Sequence, residues 1–493
     1  MNQIDEFNLA NNYIPGGISR TNLLTPPNYG PCYLVEGFGS KVRDMDNKIY
    51  IDYLMGFGAI ILGHSVESIN TAIIDSIRKS NFLGYPNPIQ NDVAKEIINI
   101  IPSAEKVKFF RSGSSACSAA IRLARLYTGK RVILTCGYHG WNDQFAKCLS
   151  INGIPDEISE ICVDFNYSYK MLNYLFNKYQ NDVAGVVIEP DLSIHDEKLL
   201  FAIKNLCKKN AALFILDEVK TGFRVAIGGV QELYNIEADI SIFSKALANG
   251  YPLACVLGKR DIMDYFNYTL TDSTHDTETT PYIASLETIK VFKQNDVLQK
   301  IHNLGSILMN QIEDMIINLG VNAKIKGHVS APCIIFDNIL MQKRFTWEMI
   351  KRGILLCRDR FNISYSHTEE DIEKTLHIVN EVLPLVGRDL YYELPEEDVK
   401  NQILINAGKE KYVLNSNWKV VKDEKDIFLR NKNGKGTVNL NDRALGILNR
   451  LNGEMRVEDI WKMFNIDTCD IENRTNILTF LRKLHRNKII NRI

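Results

Sequence analysis

The sequence predicts an α/β protein: a mostly parallel sheet covered by helices on both faces, followed by a small α+β domain. Three observations predict it. Between residues 106 and 244, short near-continuous apolar runs alternate with stretches of helical spacing. Polar clusters fall at the ends of those runs, where such sheets bind ligands. Near residue 390 the chain turns polar and acidic, and a segment with its own alternation begins at Lys411.

The elements follow in order. KVKFF (106–110) reads as a short strand. SSACSAAIRLARLYTG (114–129) reads as a helix, with Ser114 or Ser115 as N-cap and Gly129 as its stop. RVILTC (131–136) and VAGVVIEP (183–190) are buried strands, the second ended by proline. DEKLLFAIKNLCKKN (196–210) has helical spacing, and LFILDE (213–218) and ADISIFS (238–244) are two further strands. The clusters RSGSS (111–115), GYHG (137–140) and DEVKTGF (217–223) stand at strand ends, and Lys245 follows one.

The 493 residues are enough for two or three domains. A net charge of −1 gives no overall reason to expect nucleic acid or an anionic membrane as partner. The N-terminal residues lack the pattern of a secretory signal, and no apolar run is long enough to span a membrane. The ten cysteines include no CxxC pair, which argues against a zinc ribbon or disulfide scaffold and fits a reducing cytoplasm. Cys117 and Cys136 lie in apolar runs and read as core. The expectation is a cytoplasmic protein without a structural metal.

Lys245 poses the chemical question, because lysine is rarely buried. Burial disfavours the charged ammonium, and a neutral amine can form a Schiff base with an aldehyde. Asp217 ends another apolar run, where a carboxylate can pair with a pyridinium nitrogen. SGSSA (112–116) opens a helix and suits a phosphate. Tyr138 offers a flat face for a planar ring, with His139 beside it. Together these describe a site for pyridoxal 5′-phosphate.

At these residues the sequence resembles the class III aminotransferases of fold type I, in particular the glutamate-1-semialdehyde 2,1-aminomutase branch. The matching pieces include IPGG (14–17), RSGSSACSAAIRLARLYTGKR (111–131), GYHGWND (137–143), LDEVKTGFR (216–224), FSKALANGYP (243–252) and STHDTETTPYIASLETI (273–289), in order. The resemblance implies Lys245 as the Schiff-base lysine and proton shuttle. It implies Asp217 on the ring nitrogen, Val219 and Tyr138 against the ring, His139 beside it, and Gly113, Ser114 and Ser115 at the phosphate. Thr274 would reach the phosphate of a neighbouring subunit, which implies a homodimer with shared active sites. Glu278 matches an acidic residue near the site, and the role of Glu189 is open.

The substrate side departs from the branch. Leu23 stands where an arginine holds the substrate carboxylate, a serine-tryptophan pair is replaced by Gly56-Phe57, and DLSIHDEKLL (191–200) is short. Arg20, Arg358 and Arg360 are the arginines available as substitutes. The cofactor site is kept and the substrate site rebuilt, so amino transfer between an amine and some other carbonyl is expected rather than the plain aminomutase reaction.

The expected domains are 1–395, a linker at 396–410, and 411–493. The tail carries 17 Lys and Arg against 10 Asp and Glu, so it is +7 on a body of −8. WKVVKDEKDIFLRN (418–431) suggests a hairpin. Residues 441–453, 457–464 and 473–490 read as helices. RNKNGKGTVNLNDRALGILNRLNGEMRVEDIWKMF (430–464) resembles the PqqD-like RiPP recognition element, a winged-helix-like domain that captures a leader peptide as an added strand. A DNA-binding winged helix is the alternative for a basic tail, disfavoured because the basic residues of LRKLHRNK (481–488) interleave with apolar positions. The sequence therefore points to an aminotransferase working on a peptide-carried substrate, with a small-molecule enzyme bearing a structural tail as the alternative.

Overall fold

The computed structural model describes residues 2–386 apart from 20–22, 24, 28, 147–153 and 156. Beyond 386 it describes 411–414, 418–422, 427–431, 437–440, 452–456, 481 and 490–492. The chain divides into two compact units, Met1–Gly387 and Arg388–Ile493.

Three antiparallel strands come first in the larger unit: β1 (Leu34–Phe38), β2 (Lys41–Asp44) and β3 (Ile49–Asp52). The central sheet then uses β4 (Lys106–Phe110), β5 (Val132–Cys136), β6 (Cys162–Asp164), β7 (Val183–Ile188), β8 (Leu213–Asp217), β9 (Ile240–Phe243) and β10 (Ala254–Gly258). Their spatial order is β4-β10-β9-β8-β7-β5-β6. From β9 to β6 every neighbouring pair is parallel. β10 runs antiparallel to both β4 and β9. Every residue of β5, β7, β8, β9 and β10 is buried, as expected of strands covered on both faces.

Two helices show how the covering forms. α1 (Gly113–Thr128) buries its alanines, Cys117, Ile121 and Leu123, and Gly129 ends it in a left-handed cap whose N–H reaches the Arg125 carbonyl at 2.9 Å. Its N-cap is Ser112, whose Oγ accepts from the Ser115 N–H at 3.2 Å. This corrects the expected Ser114 or Ser115: the first turn begins one residue earlier, and Ser114 lies inside it. α2 (Glu197–Lys209) buries Leu200, Ile203, Leu206 and Cys207 at helical spacing. Cys117 and Cys136 are core, as expected.

A buried arginine joins distant segments. Arg224 is 3% exposed and donates to the carbonyls of Ser330, Ile363 and Gly58 at 3.0, 2.9 and 3.2 Å. Gly58 closes a run of four residues with positive φ that begins at Met55 and includes Gly56 and Phe57. The last member is also met by Asn362, which would lie 3.3 Å from a Cβ there. The departure from the aminomutase pair thus falls on a left-handed turn pinned from below.

The second unit contains two antiparallel sheets of three strands. Lys411–Leu414 lies between Asn452–Arg456 and Ile490–Arg492. Trp418–Lys422, Ile427–Asn431 and Thr437–Leu440 form a meander. The expected hairpin is present, with Trp418 opposite Asn431. Two helix expectations need correction at their ends, because Asn452 and Gly453, and likewise Ile490, belong to strands. Leu481 is helical and buried. Residues 457–464 and the linker at 396–410 lie outside the described residues. Among the described residues no helix is long and apolar enough to cross a membrane.

An unmet buried hydrogen-bonding group costs about 1–3 kcal/mol. Arg224→Met strands the Ile363 and Gly58 carbonyls and leaves that of Ser330 only the Ile363 N–H, so urea unfolding of this variant should show a loss of about 2 kcal/mol or more.

Candidate active site

Five parallel strands, β4, β5, β7, β8 and β9, end at one edge of the sheet with Arg111, Gly137–His139, Glu189, Asp217 and Lys245 at or just beyond their last residues. β10, which runs the other way, begins at that edge and contributes no site residue. That strand was not assigned from the sequence, where the run ACVLG (254–258) follows the turn NGYP.

Lys245 leaves β9 in a left-handed conformation, φ +51°. Such a conformation costs a non-glycine residue about 1–2 kcal/mol, so its surroundings must impose it. They do: Ala246, Leu247 and Ala248 are buried behind it. Asn249, also left-handed, accepts from the Leu62 N–H at 2.9 Å and donates to the Gly63 carbonyl at 3.1 Å. The side chain is half-buried. Desolvation lowers its pKa from 10.5 to about 8, and the Lys220 ammonium adds to the drop against Glu189, Cys357 and Asp217. This answers why an ammonium stands at the end of an apolar strand: the position favours the free amine.

Asp217 is 1% exposed at the end of β8. Its Oδ2 meets His139 Nδ1 at 2.7 Å and the Cys117 thiol at 3.4 Å, and its Oδ1 accepts the Val219 N–H at 3.1 Å. Burial and the neighbouring Asp217 push the Cys117 thiol well up, so it serves as a donor. The donor atoms of Cys117, His139 and Asp217 lie within 4.8 Å of one another, close enough to chelate a cation. Their hydrogen bonds to the single carboxylate already account for the cluster. His139 Nε2 is buried with no partner.

The amino end of α1 faces this cluster. Gly113 has no side chain where Val219 would lie 3.3 Å from a Cβ. Gly140, at φ +107°, would place a Cβ 2.2 Å from Ser114 Oγ. Because Ser112 is the cap, Gly113 and Ser114 carry first-turn N–H groups, and Ser115 Oγ lies 2.9 Å from Ser112 Oγ. Tyr138 is 44% exposed, and its N–H donates to Glu189 Oε2 at 2.7 Å.

The proposed substrate residues are dispersed. Arg20 lies outside the described residues. Leu23 is half-buried. Arg358 is exposed at φ +61°, its carbonyl bonded by Thr346. Arg360 is half-buried, 3.5 Å from Asp191 Oδ2. Burial alone would raise Asp191, but Arg360 and the Ser193 hydroxyl outweigh it and hold Asp191 below the ordinary carboxylate range. Thr274 is exposed on the short turn Thr274–Thr277. Glu278 stands 3.9 Å from Arg111, which also donates to the Glu278 carbonyl at 2.7 Å and to that of His275. Arg111, Cys117, Asp191 and Lys220 were missed as site residues. Lys220 and Arg111 lie inside quoted motifs; Cys117, four residues past Gly113, was read as core only.

These residues fit pyridoxal 5′-phosphate: a buried carboxylate for the ring nitrogen, a lysine poised as an amine, and a glycine-lined helix start for an anion. The aminotransferase class-III family matches residues 25–383, so the chain belongs to that family. It is 30% identical over 405 residues to 3-aminobutyryl-CoA aminotransferase of Cloacimonas acidaminovorans, covering 78% of this chain and 97% of that protein. It is 31% identical over 416 residues to glutamate-1-semialdehyde 2,1-aminomutase of Natranaerobius thermophilus, covering 76% and 96%. In fold it matches the PLP internal aldimine form of the Sphingopyxis sp. MTA144 FumI protein, with a TM-score of 0.75 at 24% identity over 80% of this chain and 99% of that one. The architecture is the fold type I α/β fold, and the protein is a pyridoxal-phosphate enzyme of the aminotransferase class.

Two outcomes follow. With the Lys245 pKa at about 8 instead of 10.5, the amine is present above pH 8. Stopped-flow capture of cofactor by the apoenzyme should therefore rise with pH and level off just above 8. Gly140→Ala forces Ser114 to move, and equilibrium dialysis should show cofactor affinity at least about tenfold weaker, or about 1.4 kcal/mol.

Proposed function

We propose that the chain moves an amino group between a donor amine and a carbonyl carried on a ribosomally made peptide, which the tail at 411–493 captures. Bound cofactor supplies an electron sink that lets a C–H bond next to nitrogen ionise. Asp217, fixed by His139, Cys117 and the Val219 N–H, holds the ring nitrogen protonated. Val219 and Tyr138 bracket the ring. Gly113, Ser114 and Ser115 take the phosphate at the start of α1. Lys245 would hold the cofactor through its aldehyde, and its amine, when free, would take up and return a proton at the substrate carbon. Thr274, exposed on its turn, reaches the phosphate of a second subunit in a homodimer.

The Asp191–Arg360 pair carries the substrate half of this reading. A free α-carboxylate calls for an unpaired cation, and Arg360 already faces a carboxylate at 3.5 Å. Lys220 is likewise held by Glu189, and Leu23 replaces the carboxylate arginine. A carbonyl inside a peptide has no such group to be met. Among the described residues, Trp418–Lys422 and Thr437–Leu440 are the outer strands of the tail meander, and an open edge is the feature that strand addition requires. Its +7 charge suits an acidic leader.

A second reading has its own support. The curated relatives align over 76–78% of this chain, and their names describe enzymes of small or coenzyme-linked substrates. On that reading the enzyme acts on a small molecule and the tail is structural.

Deleting 396–493 separates the two. With a peptide substrate, the truncated enzyme should keep its visible cofactor band yet lose at least about tenfold in kcat/KM, mostly through KM. Unchanged turnover of a free amine by both forms would favour the small-molecule enzyme. Lys245→Ala should abolish the band in either case.

A further inference from the structure

Lys220 lies on the turn that leaves β8, three residues after Asp217. Its ammonium is bonded to Oε1 of Glu189, a carboxylate that is 4% exposed. The other oxygen of Glu189 receives the Tyr138 N–H at 2.7 Å. The same ammonium stands 5.7 Å from the centre of the Tyr138 ring, inside the range of cation–π attraction. The pocket is built for this arrangement. A Cβ on Gly137 would sit 2.6 Å from Glu189 Cβ and 2.8 Å from the Tyr167 hydroxyl oxygen. That hydroxyl donates to the Glu189 carbonyl at 3.0 Å. Lys220, Glu189 and Tyr138 thus form one unit drawn from the ends of β8, β7 and β5.

We propose that Lys220 is a positioning residue for amino transfer: anchored on Glu189, it braces the Tyr138 ring and sets the balance of charge around Lys245. This rests on Lys245 being the cofactor lysine.

The electrostatics have a definite sign. The charged or titratable groups acting on Lys245 are Lys220 from the turn after β8, Asp217 from β8, Glu189 from β7 and Cys357 from the segment after Ile354–Leu355. Arg360 and Asp191 lie beyond Cys357 and neutralise each other. Lys220 repels a proton on Lys245, while Glu189, Cys357 and Asp217 attract one. Glu189 is therefore divided between two lysines. Removing Lys220 has two effects of the same sign: the repulsion ends, and Glu189 loses the cation that competes with Lys245 for its Oε1. Removing the Glu189 charge has the opposite sign.

The test is a pH titration of the visible absorbance of the cofactor-loaded enzyme. In Lys220→Met the midpoint should move up by about one pH unit. Lys220→Arg, which keeps the charge, should stay near wild type. Glu189→Gln should move the midpoint down. A purely structural Lys220 would give lower yield or stability without these opposed shifts. The lost kcat of Lys220→Met at neutral pH should return as pH is raised, with KM little changed. A wild-type midpoint in Lys220→Met, or equal shifts in the Met and Arg variants, overturns the proposal. If Lys220→Met does not fold, Lys220→Gln is titrated in its place: an upward shift supports the proposal and none rejects it. A band that survives Lys245→Ala would instead overturn the assignment of the cofactor lysine, a different failure.

Discussion

The active site rests on one buried carboxylate. Asp217 is nearly solvent-free at a strand end, and an isolated carboxylate there would be strongly disfavoured. Three donors make it tolerable: the His139 imidazole, the Cys117 thiol and the Val219 N–H. Each comes from a different part of the sheet edge, namely the loop after β5, the inner face of α1 and the turn after β8. The carboxylate therefore locks three elements into one register. The glycines at 113 and 140 follow from that closeness, because α1 must lie against the Val219 turn and the 137–140 loop must lie against Ser114. A ring nitrogen offered to Asp217 finds a partner whose orientation is already set, so little reorganisation remains when the cofactor binds.

The strands were legible because they are buried on both faces and so are apolar without interruption. Val183–Ile188 and Leu213–Asp217 needed no tertiary information. The residues at their ends were legible for the complementary reason: a lysine, an aspartate or a Tyr-His pair next to an apolar run is a departure that packing does not explain. Gly129 was readable as a stop because its left-handed cap suits glycine. What escaped depended on contacts across the chain. Three serines stood at the start of α1, and which of them caps the helix is settled by the backbone geometry of Ser112. β10 went unassigned, and its antiparallel direction between β4 and β9 is not written in a five-residue apolar run. Cys117 looked like core, and is core; its second role needs Asp217, one hundred residues away.

The rebuilt substrate side shows a different logic. In the cofactor half, charges are brought in to meet an incoming group. Around it, three cations among the described residues are met by the chain itself: Arg360 by Asp191, Lys220 by Glu189, Arg111 by Glu278 and the carbonyls around it, while Arg358 is exposed. A guanidinium paired in a half-buried place gives up part of its attraction for a further anion, because a newcomer must displace the internal carboxylate or share the cation with it.

The pairing also bears on the chemistry at Lys245. A free arginine or lysine left open for a carboxylate would act on the lysine differently before and after substrate bound. With Asp191 on Arg360 and Glu189 on Lys220, the field at Lys245 comes mainly from groups that belong to the protein and stay in place. Its lowered proton affinity, from burial first and Lys220 second, is then a property of the fold and not of the substrate. The groups that set it stand at the ends of the β7, β8 and β9 strands and in the segment that carries Cys357.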